Sequence, residues 1–336
     1  MNVKNSVRDL IPYKPSPVAA PVKLDANECP NHLFQDPVTL ELDWNRYPDT
    51  NSDPLRDKLA EVYDMSRENF IIGNGSSDLL ELIVKTYAEV GDILLTHIPS
   101  FSMYPLYAKM HGARFVGVET PDLSRIPMAD IAVAIAKNRP KLVFLCTPNN
   151  PTGAMTTRQE ILNLVRRTDA LVVVDEAYME FTDGSESVVA DVDRYPNLVV
   201  ARTFSKAYGL AAMRLGYLIA NKSVIDNLLR TKPPYNVNAG TMTLGMKALA
   251  RRNEVLAYAN DIAKRRDQLY EELVALDFDV IPSDGNFLYF QGFDDLADDL
   301  LKQGVLVRRF PDDYIRITIG TKDETDRFLT ALKEVL

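Results

Sequence analysis

Lys206 stands in Thr203-Phe204-Ser205-Lys206, followed by an apolar stretch from Ala207 to Ala212 and by Arg214 eight residues on. Poor solvation and a nearby cation both disfavour an ammonium group, so such a lysine is shifted toward the neutral, nucleophilic amine. Taken alone it reads as a surface lysine, the fate of most lysines. Asp175-Glu176-Ala177-Tyr178 closes the apolar run Val172-Val173-Val174. A carboxylate at the end of a buried strand is costly unless paired. It is either a cap or ion pair of structural kind, or the partner of a protonated ring nitrogen, with the Tyr178 hydroxyl in the same pocket. Gly73-Asn74-Gly75-Ser76-Ser77-Asp78 lies between a strand candidate and a helix candidate. Gly75, Ser76 and Ser77 there form either a capped turn or an anion cradle at a helix N-terminus. Thr147-Pro148-Asn149-Asn150-Pro151-Thr152-Gly153 is turn chemistry, or a stiff loop that holds the Asn150 amide at fixed distance from a ligand.

Elements must bring these four segments together, and the hydrophobic pattern supplies them. Helices are expected at 54–63 (Asp53 as N-cap, Pro54 in the first turn), 79–90, 131–137 and 158–167. Short apolar strands are expected at 70–72, 93–95, 114–118, 142–146, 171–175 and 198–202. The alternation predicts an α/β fold with a parallel sheet covered by helices, and each of the four segments follows a strand. In such sheets ligands bind beyond the carboxyl ends of the strands. After residue 235 a helical stretch at about 240–275 precedes strand candidates at 278–281, 287–290, 305–307 and 314–319, then a last helix. The reading is an N-terminal arm over 1–30, with prolines at 12, 15, 17 and 21, a large domain over 31–235 and a smaller α+β domain over 236–336.

Composition narrows the function. The 336 residues carry a net charge of −9 and no basic block, which argues against nucleic acid. No apolar run approaches a membrane span, no leader pattern opens the chain, and no metal-ligand spacing surrounds Cys29 or Cys146. A reducing, cytoplasmic setting is expected, with no metal.

The motifs in their order resemble one family over nearly the whole chain: the fold-type I aminotransferases that depend on pyridoxal phosphate (PLP), specifically the class II group that includes the histidinol-phosphate enzymes. Besides the segments above, Leu24-Asp25-Ala26-Asn27-Glu28, Asn45-Arg46-Tyr47-Pro48-Asp49 and Arg316-Ile317-Thr318-Ile319-Gly320 are similar to its signatures. The resemblance implies a large domain with a mainly parallel sheet sandwiched by helices, plus a smaller α+β domain. Lys206 matches the lysine that binds PLP covalently and shuttles the proton. Asp175 matches the partner of the pyridinium nitrogen. Tyr178 and Asn150 match the pair at the ring oxygen, and Phe101 the aromatic stacked on the ring. Gly75, Ser76, Ser77, Thr203, Ser205 and Arg214 match the phosphate shell. Tyr47 resembles the tyrosine that reaches this phosphate from the neighbouring subunit, which implies a homodimer. Arg316 matches the carboxylate-gripping arginine. Arg308, Tyr13 and Asn27 match positions that line the substrate pocket. Arg308 and Arg309 are adjacent, and strand alternation allows only one of them to face inward. The implied reaction is transfer of an amino group from a phosphorylated amine to 2-oxoglutarate in histidine biosynthesis. Aromatic amino-acid transamination and decarboxylation of threonine phosphate are the alternatives on the same scaffold.

Overall fold

A computed structural model describes residues 4–10, 18–30, 33–34 and 38–336. Most of the proline-rich stretch, Tyr13 included, lies outside the described residues.

In chain order the regular elements begin with β1 (Val22–Lys23), α1 (Asp53–Tyr63), β2 (Phe70–Gly73), α2 (Ser76–Tyr87), β3 (Ile93–Ile98), α3 (Met103–His111) and β4 (Arg114–Glu119). Then come α4 (Met128–Asn138), β5 (Leu142–Cys146), α5 (Arg158–Val165), β6 (Leu171–Asp175), β7 (Leu198–Thr203), β8 (Gly216–Ala220) and α6 (Lys222–Leu229). The rest comprises α7 (Ala239–Ala250), α8 (Arg252–Ala275), β9 (Asp279–Ile281), β10 (Phe287–Gln291), α9 (Leu296–Lys302), β11 (Val305–Leu306), β12 (Arg308–Arg309), β13 (Tyr314–Thr318) and α10 (Lys322–Val335).

Seven strands form one sheet in the order β2-β8-β7-β6-β5-β3-β4. The run from β7 to β4 is parallel, as expected, and its strands are apolar because helices cover both faces. Val172 and Val174 of β6 join the core on one face, while Val173 joins the core on the other. Fully burying one such side chain contributes about 1.5–3 kcal/mol, so the sheet is a rigid platform for whatever its strand ends carry.

Three differences from the sequence reading have physical reasons. Strand β8 was not expected at all. It is an apolar run of five residues, and it pairs antiparallel with β2 and β7. Gly216 is needed there, because a Cβ would lie 2.3 Å from the Ser76 nitrogen at the start of α2. Helix α2 begins at Ser76, not residue 79, so the serines belong to its first turn. The cap of α1 is Ser52, and Asp53 is instead a first-turn residue paired with Arg56 at 2.7 Å.

A second sheet, β12-β13-β10-β9, is antiparallel. Val22–Lys23 pairs in parallel with Val305–Leu306, and Leu24 O accepts from Thr318 N at 2.9 Å. These bonds tie residues 22–27 to the C-terminal strands and bring Asn27 to the strand ends of the large sheet. Among the described residues no helix is long and apolar enough to cross a membrane.

Candidate functional site

The carboxyl ends of β5, β6 and β7, the N-terminus of α2, residues 23–28 and the second sheet enclose a cavity of about 580 Å³. Lys206, Asp175, Tyr178, Asn27, Arg308 and Arg316 all line it.

One end is built to receive an anion. Gly75 precedes α2 with φ 88° and ψ 160°, a region essentially reserved for glycine, and a Cβ there would meet Arg214 Nη2 at 2.6 Å. The Arg214 guanidinium therefore lies against the Gly75 backbone at the start of α2, where first-turn N–H groups have no intrahelical acceptor. Ser76, Ser77, Thr203, Ser205 and Arg214 line this end. The Thr203 hydroxyl accepts from the Ser205 N–H at 3.1 Å, and Arg214 Nη1 donates to Ser205 Oγ at 3.5 Å. The β7 loop and the Arg214 turn thus hold each other.

In the middle, Asp175 sits on an apolar sheet face beside Cys146, its partner in the register of β5 and β6. Tyr104 of α3 donates its hydroxyl to Asp175 Oδ2 at 2.8 Å. Oδ1 is buried and makes no hydrogen bond among the described residues. Burial pushes the carboxyl up to about 6, against the Tyr104 hydrogen bond, which favours the anion. Lys206 Nζ donates to Ala26 O at 3.0 Å. Burial first, then the Arg316 charge, lowers it to about 7, with Glu28 acting the other way. Asn27 donates from Nδ2 to Tyr178 Oη at 3.1 Å, which leaves the Tyr178 proton without an acceptor among the described residues. Asn27 holds a left-handed backbone, φ 52°, pinned by its N–H donating to Thr318 Oγ1 at 2.9 Å. Phe101 also lines the cavity, edge-on to Tyr104.

The far end is cationic. Arg316 donates from Nη1 to Asn150 Oδ1 at 2.5 Å and from Nη2 to Asp25 O at 2.7 Å, leaving the Asn150 Nδ2 protons without an acceptor among the described residues. Register separates the two adjacent arginines. Arg308 pairs with Arg316 across β12 and β13 and shares its face, whereas Arg309 pairs with Ile315 on the other face. Arg309 also borders the cavity, but its guanidinium is engaged by Asp294, Asp298 and Asp313 at 3.4, 3.7 and 3.2 Å. Arg308 makes no ion pair or hydrogen bond among the described residues and lines the cavity.

Of the residues singled out from sequence, Tyr47 is not brought to this cavity. It is 82% exposed and stacks on Tyr235 with ring centroids 4.6 Å apart. Tyr13 lies outside the described residues. Sequence reasoning missed Tyr104 and Cys146. Tyr104 follows Phe101 by three residues in an aromatic-rich helix, which reads as core packing, and only its oxygen marks it as something more.

The chain matches the family model "Aminotransferase class I and II" over residues 20–332. It is 38% identical to the histidinol-phosphate aminotransferase of Pyrococcus furiosus over 322 residues, 93% of this chain and 92% of that protein. It is 33% identical to the enzyme of that name from Caldanaerobacter subterraneus over 347 residues, 99% of this chain and 96% of that protein. The crystal structure of histidinol-phosphate aminotransferase from Sinorhizobium meliloti in complex with pyridoxal-5'-phosphate superimposes with a TM-score of 0.86 at 25% identity, covering 94% of this chain and 91% of that one. A match spanning almost the whole length, on a fold whose strand ends converge as this one's do, means that the chain belongs to the class I and II aminotransferase family.

Proposed function

We propose that this protein is a PLP-dependent aminotransferase that transfers the amino group of histidinol phosphate to 2-oxoglutarate, a step of histidine biosynthesis. The cavity fits PLP on two observations. Asp175 presents a buried oxygen with no hydrogen-bond partner among the described residues, the acceptor that a protonated ring nitrogen requires. The α2 N-terminus presents free N–H groups beside Arg214 across a backbone that no side chain can fill, which suits a phosphate.

When bound, PLP supplies an electron-accepting pyridinium ring and a carbonyl carbon that takes up the substrate's amino group. Gly75, Ser76, Ser77, Thr203, Ser205 and Arg214 hold its phosphate. Asp175 holds the ring nitrogen, Tyr178 and Asn150 donate to the ring oxygen, and Phe101 lies against the ring. Lys206 holds the cofactor covalently. Because its ammonium form is disfavoured down to about 7, much of Nζ is neutral near neutral pH. With the cofactor in place, Lys206 would attach it through this neutral amine and would take and return a proton at the same nitrogen.

The substrate reading rests above all on Arg308. A guanidinium with no carboxylate partner among the described residues, on the same face as Arg316, is costly to leave beside the cavity unless an anion fills it. Two guanidinium forks suit a phosphate ester, and Arg316 alone suits the carboxylate of 2-oxoglutarate or glutamate in the other half-reaction. Asn27 orients Tyr178 and closes the pocket. Tyr47 and Tyr235 form an exposed aromatic pair away from their own chain's cavity, which supports a homodimer in which Tyr47 reaches the partner's phosphate shell. Separate sheets support the division into an arm (1–30), a large domain (31–235) and a small domain (236–336).

Single-turnover loss of the bound cofactor's visible absorbance tests the reading, with histidinol phosphate, phenylalanine and threonine phosphate compared side by side. Fast conversion to the pyridoxamine form with histidinol phosphate alone is expected. Equal or faster conversion with phenylalanine overturns the phosphate reading, and loss of carbon dioxide from threonine phosphate overturns transamination.

A further inference from the structure

Asp175 reaches the cavity from a face of the sheet that is otherwise apolar. Its neighbours there are Phe144, Val173, Cys146 and Tyr104. The Tyr104 ring is fully buried and packs edge-on against Phe144 at 5.0 Å and Phe101 at 5.4 Å. Two T-shaped contacts restrict the ring, and its hydroxyl spans 2.8 Å to Asp175 Oδ2. The phenol is an ordinary O–H donor, since burial and the Asp175 charge hold its proton far more tightly than usual. The hydroxyl lies beside both Asp175 and the Cys146 thiol, and its proton goes to the carboxylate, the stronger acceptor. With Oδ2 committed, only Oδ1 remains for a ligand. The other groups that face Asp175 are Tyr107 of α3, Cys146 of β5, Glu176 and Tyr178 beside it in sequence, and Lys206 of the β7 loop. Glu176 is taken up by Arg202 at 2.7 Å and by Ser187 at 2.8 Å. Lys206 attracts the carboxylate but donates to Ala26. Tyr104 is therefore the one side chain among the described residues that donates a hydrogen bond to this carboxylate.

We propose that Tyr104 is a positioning residue that acts through Asp175: its hydroxyl holds the carboxylate anionic and turns Oδ1 toward the place of the cofactor's ring nitrogen. This inference rests on the proposed PLP site. Without the hydroxyl, the carboxylate loses its side-chain donor on an apolar face, keeps the backbone N–H of Ala177, and takes up a proton at higher pH. A neutral carboxyl pairs poorly with a protonated ring nitrogen, so the loss appears first in cofactor affinity at mildly acidic pH.

The test is binding of pyridoxamine phosphate to the cofactor-stripped protein from pH 5.5 to 9, since this form binds without the covalent bond to Lys206. Wild type, Tyr104→Phe and Phe144→Leu are compared, so that the ligand's own phosphate titration is common to all three. For Tyr104→Phe the rise in affinity with pH is expected to move up by about one pH unit, and affinity at pH 6 to fall about tenfold, the effect of losing one hydrogen bond to a charged group. Phe144→Leu loosens the same packing but keeps the donor, so it lowers stability and leaves the pH midpoint in place. A Tyr104→Phe midpoint equal to that of wild type, or an equal shift in Phe144→Leu, overturns the inference. Failure of the wild-type protein to bind either cofactor form overturns the PLP reading instead.

Discussion

The two ends of the cavity are built by different means. The anion end is local. Gly75, Ser76 and Ser77 are consecutive, Thr203, Ser205 and Lys206 fall within four residues, and Arg214 follows eight later on a turn bonded back to Ser205. The cationic end is assembled from far apart. Asn27 meets Thr318 across 291 residues, Arg316 meets Asn150 across 166, and Arg308 faces inward only because β12 pairs with β13 in one register. A cofactor that stays through every turnover suits the first arrangement, and a substrate that must enter and leave suits the second.

Three changes sharpen that contrast. Lys206→Ala, at the junction of the ends, is expected to lower transamination at least about 10³-fold, because it removes both the covalent attachment and the proton carrier. Rate measurement with added PLP checks it. Gly75→Ala is expected to weaken cofactor binding about 10- to 100-fold. It forces a side chain into a backbone region costing about 1–3 kcal/mol and places a Cβ against Arg214. Titration of the stripped protein with PLP reads this. At the cationic end, Arg309→Ala is expected to change KM for histidinol phosphate by no more than about twofold and stability by less than about 1 kcal/mol, as for exposed ion pairs.

Acid sensitivity bears on the platform beneath both ends. Burial lowers the His97 imidazole to about 4, so it is neutral in the folded chain where the unfolded chain, near 6.5, begins to protonate. Its contribution is fully present above pH 6.5 and is lost as pH falls toward 4, by about 3 kcal/mol in all. Asp175 has the opposite sign: its carboxyl is raised to about 6, so its contribution is present below its unfolded value near 3.8 and is lost as pH rises through 6. The isolating measurement is therefore urea unfolding at pH 7 and pH 5 for wild type against His97→Leu. The variant is expected to lose less stability over that interval.

How much the sequence revealed follows the same division. The α/β class, the parallel run of strands and the anion end were legible, because apolar runs and their terminal motifs are contiguous. Strand β8 was not, since five buried apolar residues between loops carry no period of two and no mark of direction. The choice between Arg308 and Arg309 was not, since alternation says that they differ but only the pairing with Arg316 and Ile315 says which is which. Tyr104 was hidden because an aromatic on a buried helix looks the same whether or not its hydroxyl finds Asp175.

The central claim is that the anion end holds the cofactor and the cationic end reads the substrate's phosphate. The most direct test measures two constants, cofactor Kd and kcat/KM for histidinol phosphate, in Arg214→Ala and Arg308→Ala. The account predicts that Arg214→Ala raises the cofactor Kd at least about tenfold, while Arg308→Ala leaves that Kd in place and lowers kcat/KM at least about tenfold, as loss of a charged hydrogen bond would. A rise in cofactor Kd in Arg308→Ala, or an unchanged kcat/KM in that variant, contradicts it.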